Sequence, residues 1–296
     1  MSAPLKDNLR GALFMSLAMA GFVLNDAAIK QVLATEPLFP AIFVRGLSAT
    51  VLLGLMCWAA GGFRWRSGTG DRWLIGWRVA AEMAATVLFL SALARLPIAN
   101  VTAILLAAPL AVTLAAAVFL AEPVGWRRGL ALLVGFGGVM LIVRPGAADF
   151  SLWSLLALAA VAAVVMRDLV TRRLSTGVPS LVVAFATAVT ITGAAGIGTL
   201  VQGWPGFTGT QVALLLGASV MLIVGYVFSV RTMRVGDISF VSGFRYTTLL
   251  WALLIGYLVF DEVPDAGTAL GALLIVGSGL FTFWREHRVA RGTTGA

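Results

Sequence analysis

Eight ionisable side chains lie inside strongly apolar segments of this chain. A charge at the centre of a lipid bilayer costs about 2.5–3.5 kcal/mol on insertion scales, so such groups face a protein interior or a wet cavity and mark solute or proton paths. These side chains are the ones whose chemistry could carry a function, and they are Asp26, Lys30, Arg45, Arg78, Glu82, Arg167, Asp168 and Arg245.

Several of these charges have a partner of opposite sign four residues away. The pairs are Asp26–Lys30, Arg78–Glu82 and Asp168–Arg172. At this spacing two side chains meet on one face of a helix, so each pair could be a purely structural ion pair. The alternative for the two aspartates is a functional one, in which each is a polar group at one gate of a central path. The sequence leaves both interpretations open.

Arg45 and Arg245 have no acid at helical spacing. A buried, unpaired guanidinium is costly, so each needs an acid from another helix or the carboxylate of a ligand. Arg245 is followed by Tyr246 and Trp251, which could form the apolar wall of a small-molecule site. We therefore predict a substrate site formed by Arg245, Tyr246, Trp251 and Glu82, and a gating or polar pathway formed by Asp26, Asp168 and Arg45.

The elements that must position these residues are membrane-spanning helices. Only 11% of the residues are charged and mean hydropathy is +0.98, whereas soluble domains carry about 25% charged residues. Apolar runs of spanning length occur at 10–33, 39–60, 73–94, 98–120, 126–144, 152–173, 180–201, 211–231, 237–260 and 267–284. Runs such as 107–121 show no strand-like alternation, so the sequence predicts an all-α integral membrane protein with ten transmembrane helices.

Basic residues favour one side of this topology. One side holds Lys6, Arg10, Arg64, Arg66, Arg72, Arg127, Arg128, Arg172, Arg173, Arg231, Arg234, Arg285, Arg288 and Arg291, and the other holds Arg95 and Arg144. Cytoplasmic loops are enriched in Lys and Arg, so both termini are predicted to be cytoplasmic. The net charge of +8 belongs to this asymmetry and does not indicate nucleic-acid binding.

The first half of the chain recurs in the second half at a shift of about 142 residues. Asp26 recurs as Asp168, Lys30 as Arg172, Pro37 as Pro179, Phe43 as Phe185 and Gly54 as Gly196. Each half contains five apolar segments, and an odd number inverts the second copy in the bilayer, as in many secondary transporters. We expect one repeat at 1–147 and a second at 148–296, related by a pseudo-two-fold axis in the membrane plane.

Motifs for enzymatic chemistry are missing from the sequence. There is no GxxxxGK[ST] phosphate-binding loop, and the single histidine, His287, lies in the C-terminal tail. ATP hydrolysis and histidine-based catalysis or metal binding within the membrane are therefore not expected. We predict no enzyme activity, no cofactor and no metal; the expected partners are a small-molecule substrate and the lipid bilayer, with a monomer as the simplest state.

The end of each half resembles the EamA-type repeat of the drug/metabolite transporter superfamily. The first copy is carried by Pro109, Glu122-Pro123, Gly129, Gly135 and Gly137, and the second by Leu249, Glu262, Gly271, Gly277 and Gly279. In the second copy Leu249 stands in place of the proline, and Val263 separates Glu262 from Pro264. Across both halves the chain is also similar to exporters of aromatic amino acids of the YddG type.

This resemblance implies two inverted five-helix repeats around a central cavity in a bacterial inner membrane. It implies export of small metabolites by alternating access, with aromatic amino acids favoured. Threonine-like, sugar-linked or cationic substrates, a lipid flippase and a membrane enzyme are the alternatives, and the energy coupling stays open. We place the cavity between spans three, four, eight and nine, with spans one and six as gates.

Overall fold

The computed structural model describes residues 5–61, 69–119, 125–145, 151–175, 179–235 and 238–293. Within these residues the regular secondary structure is entirely helical. Eight helices are long and apolar enough to cross a bilayer, and the shorter apolar helices Gly129–Val143 and Ala266–Thr282 take the places of the fifth and tenth predicted spans. The predicted all-α architecture with ten spans is confirmed.

The helices follow one another through short connections. They are α1 (Leu5–Leu33), α2 (Leu38–Ala59), α3 (Thr69–Leu93), α4 (Ile98–Leu105), α5 (Ala108–Phe119), α6 (Trp126–Val143), α7 (Leu152–Thr171), α8 (Ser180–Gln202), α9 (Gly209–Val235), α10 (Ile238–Val241), α11 (Thr247–Phe260) and α12 (Ala266–Thr293). A 3₁₀ segment, Ser242–Tyr246, joins α10 to α11. The fourth and ninth spans are therefore each discontinuous, as α4 with α5 and as α10 with α11.

The helices that pack most extensively are related by the repeat. Helix α1 packs on α9, and the repeat mates of these two helices, α7 and α3, pack on each other in the same way. Helix α2 packs on its own repeat mate α8, and α6 packs on its own repeat mate α12. A packing scheme of this kind requires the two halves to be related by a two-fold axis. The boundary predicted at residues 147 and 148, and Glu122 of the sequence motif, lie outside the described residues.

Contacts between α2 and α8 are reciprocal. Gly54 leaves room for the ring of Phe185, and its repeat mate Gly196 leaves room for the ring of Phe43. The hydroxyls of Thr50 and Thr192, which are also repeat mates, lie 3.2 Å apart. A residue that contacts its own mate lies on the symmetry axis, so the axis passes between these two threonines.

Helices α6 and α12 approach closely through glycine. A Cβ on Gly138 would lie 2.6 Å from the carbonyl oxygen of Gly271, so neither position has space for a side chain. Small residues permit such close approach of helices in membranes. Gly129, Gly137 and Gly277 of the same motif have no neighbour that a Cβ would meet, so only part of the glycine pattern serves packing.

The two ends of the bundle differ in charge, and we name them by it. The acidic face is the end that holds Glu36, Asp261, Glu262 and Asp265, and the basic face is the end that holds Arg172, Arg173 and Arg231. At the acidic face Asp265 accepts a hydrogen bond from the amide of Thr268 (2.8 Å) and pairs with Arg144. These two partners, the amide first, hold the pKa of Asp265 below its ordinary value.

Candidate functional site

A cavity of about 490 Å³ lies in the middle of the bundle and is lined by α1, α2, α3, α4, α7, α8 and α9. Helices α2 and α8, which flank the two-fold axis, leave this space open through small residues, among them Gly46, Ala49, Ala184 and Ala188. The volume falls within the range of about 300–1,000 Å³ that is usual for small-molecule sites. Spans two and seven thus form walls that the sequence analysis had not assigned, and the ninth span contributes no lining residue.

One charged cluster occupies the wall toward the acidic face. Arg45 of α2 donates to the side-chain oxygen of Asn25 (3.0 Å), and the Asn25 amide donates to Asp26 of α1 (2.9 Å). The backbone carbonyl of Arg45 accepts from Ser219 of α9 (2.8 Å), which fixes this turn of α2. The Nε of Arg45 is buried and, among the described residues, is the one such side-chain atom without a hydrogen-bond partner.

A second charged cluster occupies the wall toward the basic face. Arg167 of α7 contacts both carboxylate oxygens of Glu82 on α3 (3.2 Å each) and also binds Asp168 (2.8 Å). Arg78 lies 3.8 Å from Glu82 and donates to the hydroxyl of Thr187 on α8 (3.0 Å). Both clusters combine guanidinium and carboxylate groups, so each could bind an anionic or a cationic group of a solute.

The two clusters stand at equivalent places in the two repeats but are built differently. Asn25 has Arg167 as its mate, and Arg45 has Thr187. In the second repeat, the guanidinium that would come from α8 is supplied instead by Arg78, which reaches Thr187 from α3. The cavity is therefore symmetric in its backbone and asymmetric in its chemistry.

A further polar network ties three elements together at the acidic face. Lys30 at the end of α1 pairs with Glu262 (2.7 Å) and also donates to the backbone carbonyl of Leu96. The second oxygen of Glu262 accepts from the amide of Ile98 at the start of α4 (2.7 Å). Of the two interpretations that the sequence left open for Asp26, the structure does not show the local pair with Lys30, because the long lysine side chain reaches Glu262 in the distant α11–α12 connection.

A side cavity of about 290 Å³ lies between α5, α7, α12 and the 3₁₀ segment. Arg245, Tyr246, Asp168 and Arg172 contribute to its lining. The Tyr246 hydroxyl packs so closely on Gly279 that this position has no space for a Cβ. An ion pair joins the walls of the two cavities, because Asp168 lines the side cavity and its partner Arg167 lines the central one.

The structure brings some of the predicted site residues together and separates others. Glu82, Asp26 and Arg45 line the central cavity, whereas Arg245 and Tyr246 line the side cavity. The Trp251 indole donates to the backbone carbonyl of Ser16 on α1 (3.1 Å), against the wall formed by Met15 and Met19. The roles proposed for these side chains in transport stay predictions.

Several polar residues of the cavity were missed by sequence reasoning, Asn25 and Arg167 among them. Arg167 was recognised as an intramembrane charge without a role, and Asn25 was passed over beside Asp26. Their adjacency to the two aspartates, at equivalent places in the repeat, was the signal that could have identified them. In the described part of the chain, no three metal-ligating side chains cluster.

Comparisons with known proteins give the family of this chain. The EamA-like transporter family matches residues 9–144. A riboflavin transporter of Vibrio cholerae is 34% identical over 223 residues, which cover 73% of this chain and 74% of that protein. The chain belongs to the EamA-like transporter family. It is accordingly a multi-pass membrane protein of a transporter family.

Other relatives extend the similarity over nearly the whole EamA-like chain. A pseudopaline exporter of Pseudomonas aeruginosa is 29% identical over 276 residues, covering 90% of this chain and 93% of that protein. A solved crystal structure at 17% identity covers 94% of this chain and 98% of that chain with a TM-score of 0.65, which supports the fold. The relatives named here do not include an aromatic amino acid exporter, so that finer resemblance stays a proposal.

Proposed function

We propose that this chain is a secondary transporter that moves a small organic metabolite through the central cavity by alternating access. The observation that carries the proposal is the cavity itself, which lies on the two-fold axis and has charged groups in its walls. Charged residues within spans mark substrate or ion paths. Secondary transporters place their sites near the bilayer midplane, at the interface between inverted repeats.

An amino acid with an aromatic side chain, exported from the cytoplasm, is the first candidate substrate. Its carboxylate would meet Arg45 or Arg78 and its ammonium group Asp26 or Glu82, while the ring would pack on apolar and aromatic walls that include Tyr226. This proposal gives Arg45 the carboxylate role that the sequence analysis gave to Arg245. Arg245 and Tyr246 are proposed to act at the side cavity, and Trp251 to support α1.

Riboflavin is a second candidate, supported by the 34% identity with the riboflavin transporter of Vibrio cholerae. The apolar wall of the central cavity and the polar groups at its two ends suit a flat ring system that carries polar substituents. The proposed transport of either candidate does not require ATP hydrolysis, and the sequence contains no phosphate-binding loop.

Counterflow into proteoliposomes tests the function. Vesicles loaded with unlabelled solute would be offered labelled tryptophan, riboflavin, threonine or a control sugar without ATP. We expect saturable accumulation of a ring-containing solute, reduced about tenfold or more in Arg45→Gln, because a lost charged contact costs more than about 1.4 kcal/mol. Arg231→Gln removes an exposed arginine outside the cavity and should transport normally. Uptake no faster than in empty vesicles for every solute would refute the proposal.

We also propose that the basic face is cytoplasmic. The support is the excess of Lys and Arg on that side of the predicted topology. Reporter fusions after Arg66 and after Arg291 should both show cytoplasmic activity in a bacterial inner membrane. A periplasmic signal from either fusion would contradict this orientation.

A further inference from the structure

The register of α2 against α8 sets the distance between the two charged clusters of the central cavity. Phe43 lies beside Gly196, and Phe185 lies beside Gly54. The helices are antiparallel, so Arg45 lies level with residue 194 of α8, seven residues beyond Thr187 toward the acidic face. At about 1.5 Å per residue the two cluster positions are roughly 10–12 Å apart along the bundle.

The cavity wall between the two clusters is mainly apolar. Phe22, Ala49, Ile191 and Leu222 offer no side-chain hydrogen bond there, and Thr86 and Thr192 add two hydroxyl groups to the lining. A solute in this middle region gains free energy by burying apolar surface. The cavity therefore has a charged end, a mainly apolar middle and a second charged end.

Each polar end combines both charge signs. Toward the acidic face Arg45 lies near Asp26, and toward the basic face Arg78 and Arg167 surround Glu82. The lining contains three guanidinium groups and two carboxylates, and Asp168, bound to Arg167, supplies the third carboxylate, which favours a solute with no net charge. A single amino-acid head group, with its carboxylate and ammonium on one carbon, can occupy only one of these ends.

We infer, given the transport function proposed above, that the central cavity binds an elongated solute with a polar head group at each end and a mainly apolar middle. Arg45 and Asp26 hold one head, and Arg78, Glu82 and Arg167 hold the other. The buried Nε of Arg45, which has no partner, gains one if the side chain turns to a bound carboxylate. Both arginine clusters therefore determine specificity for length.

Tyrosine and dityrosine form a matched pair of probes. They share the same amino-acid head and phenol ring, and dityrosine carries a second head at the far end of a joined ring system. Binding to the full-length, detergent-purified protein is measured by the ligand-dependent shift in unfolding temperature and by calorimetry. We expect dityrosine to bind at least about tenfold more tightly than tyrosine.

Variants at the two ends show whether both heads are held at once. Arg45→Gln and Arg78→Gln should each reduce dityrosine affinity about tenfold or more and bring it close to that of tyrosine. Arg231→Gln is the matched control and should keep the full difference. If a glutamine variant fails to fold, Arg45→Lys or Arg78→Lys keeps the charge and removes only the planar, two-pronged contact.

The outcome separates this inference from the function on which it rests. Equal affinity for the two probes, no binding of dityrosine, or a loss confined to one of the two arginines would overturn the two-headed site. Counterflow of a one-headed solute such as tryptophan under those results would leave the transport function intact. A length preference that depends on both arginines supports the inference.

Discussion

Glu82 is shared unequally between two arginines. Both oxygens of its carboxylate lie 3.2 Å from Arg167 on α7, whereas Arg78, four residues earlier on the same helix, is 3.8 Å away. Arg78 is held instead by the hydroxyl of Thr187. The interhelical pair is thus the stronger partner, and it connects α3 to α7.

A double-mutant cycle should reproduce this ranking. Glu82→Gln destabilises the protein because it leaves the half-buried Arg167 with Asp168 as its remaining carboxylate, and combining it with Arg167→Gln should recover part of the loss. We expect a coupling energy of about 0.5–3 kcal/mol for Glu82 with Arg167 and a smaller one for Glu82 with Arg78. Denaturation in detergent measures both. A larger coupling with Arg78 would contradict the geometry.

Asp265 should make stability depend on pH at the acidic face. Its pKa is lowered in the folded protein, so its contribution to stability is present above the ordinary pKa of an aspartate and is lost as pH falls through the lowered value. The unfolding temperature of the unmodified protein should therefore decline over that acidic interval, and Asp265→Asn should remove this part of the decline.

Asn and Ala at this position separate the charge from the helix cap. Asp265→Asn keeps a side-chain acceptor for the Thr268 amide, whereas Asp265→Ala removes it and should cost about 0.5–2 kcal/mol. An alanine variant as stable as the asparagine variant would show that the capping hydrogen bond does not contribute to the free energy of unfolding.

At the scale of elements, glycine spacing in α6 provides an internal control. A Cβ at Gly138 would lie 2.6 Å from the backbone of α12, while Gly137, one residue earlier, faces open space. Gly138→Ala should destabilise by about 1–3 kcal/mol through overpacking. Gly137→Ala should be neutral or stabilise by up to about 1 kcal/mol through helix propensity. Equal unfolding temperatures in a detergent melt would be incompatible with the close helix crossing.

The two discontinuous spans show what the sequence could and could not predict. The break between α4 and α5 lies at residues 106 and 107, within the turn that precedes Pro109, and a proline ring disturbs the preceding turn of a helix. The sequence marks this site. The 3₁₀ segment Ser242–Tyr246 contains no proline, and tertiary packing of Tyr246 on Gly279 is invisible to local patterns.

Charge partners follow the same division. The apolar runs predicted which charges lie within the spans. Asp26 and Arg45 of the predicted polar pathway and Glu82 of the predicted substrate site line the central cavity, whereas Asp168 lines the side cavity. Spacing along one helix allowed a pair of Lys30 with Asp26, whereas the structure pairs Lys30 with Glu262 from a distant connection. A long side chain pairs with a charged group that the folded structure brings within reach, and spacing along one helix does not reveal that group.

At the scale of the whole molecule, the two-fold axis can be tested by a single disulfide. In a Cys57→Ala background, Thr50→Cys with Thr192→Cys should form a bond on mild oxidation, since the native hydroxyls are 3.2 Å apart. A protease site introduced near residue 148 reports the bond, because cleaved halves stay joined only when it has formed. Thr50→Cys with Thr190→Cys is the control, as Thr190 is exposed on another face of α8. Joined halves in the control alone would exclude the axis described here.

The first repeat has Arg45 at the position where the second has Thr187, and this difference has a kinetic consequence. If the repeats were identical, inversion about the axis would convert the state open to one face into the state open to the other, and the two would have equal free energy. With different residues at equivalent places, the resting populations are unequal, and the affinity seen from the less populated side is reduced by its population. Half-saturating concentrations should then differ between the two sides of the membrane, although a solute moving passively still reaches the same final distribution.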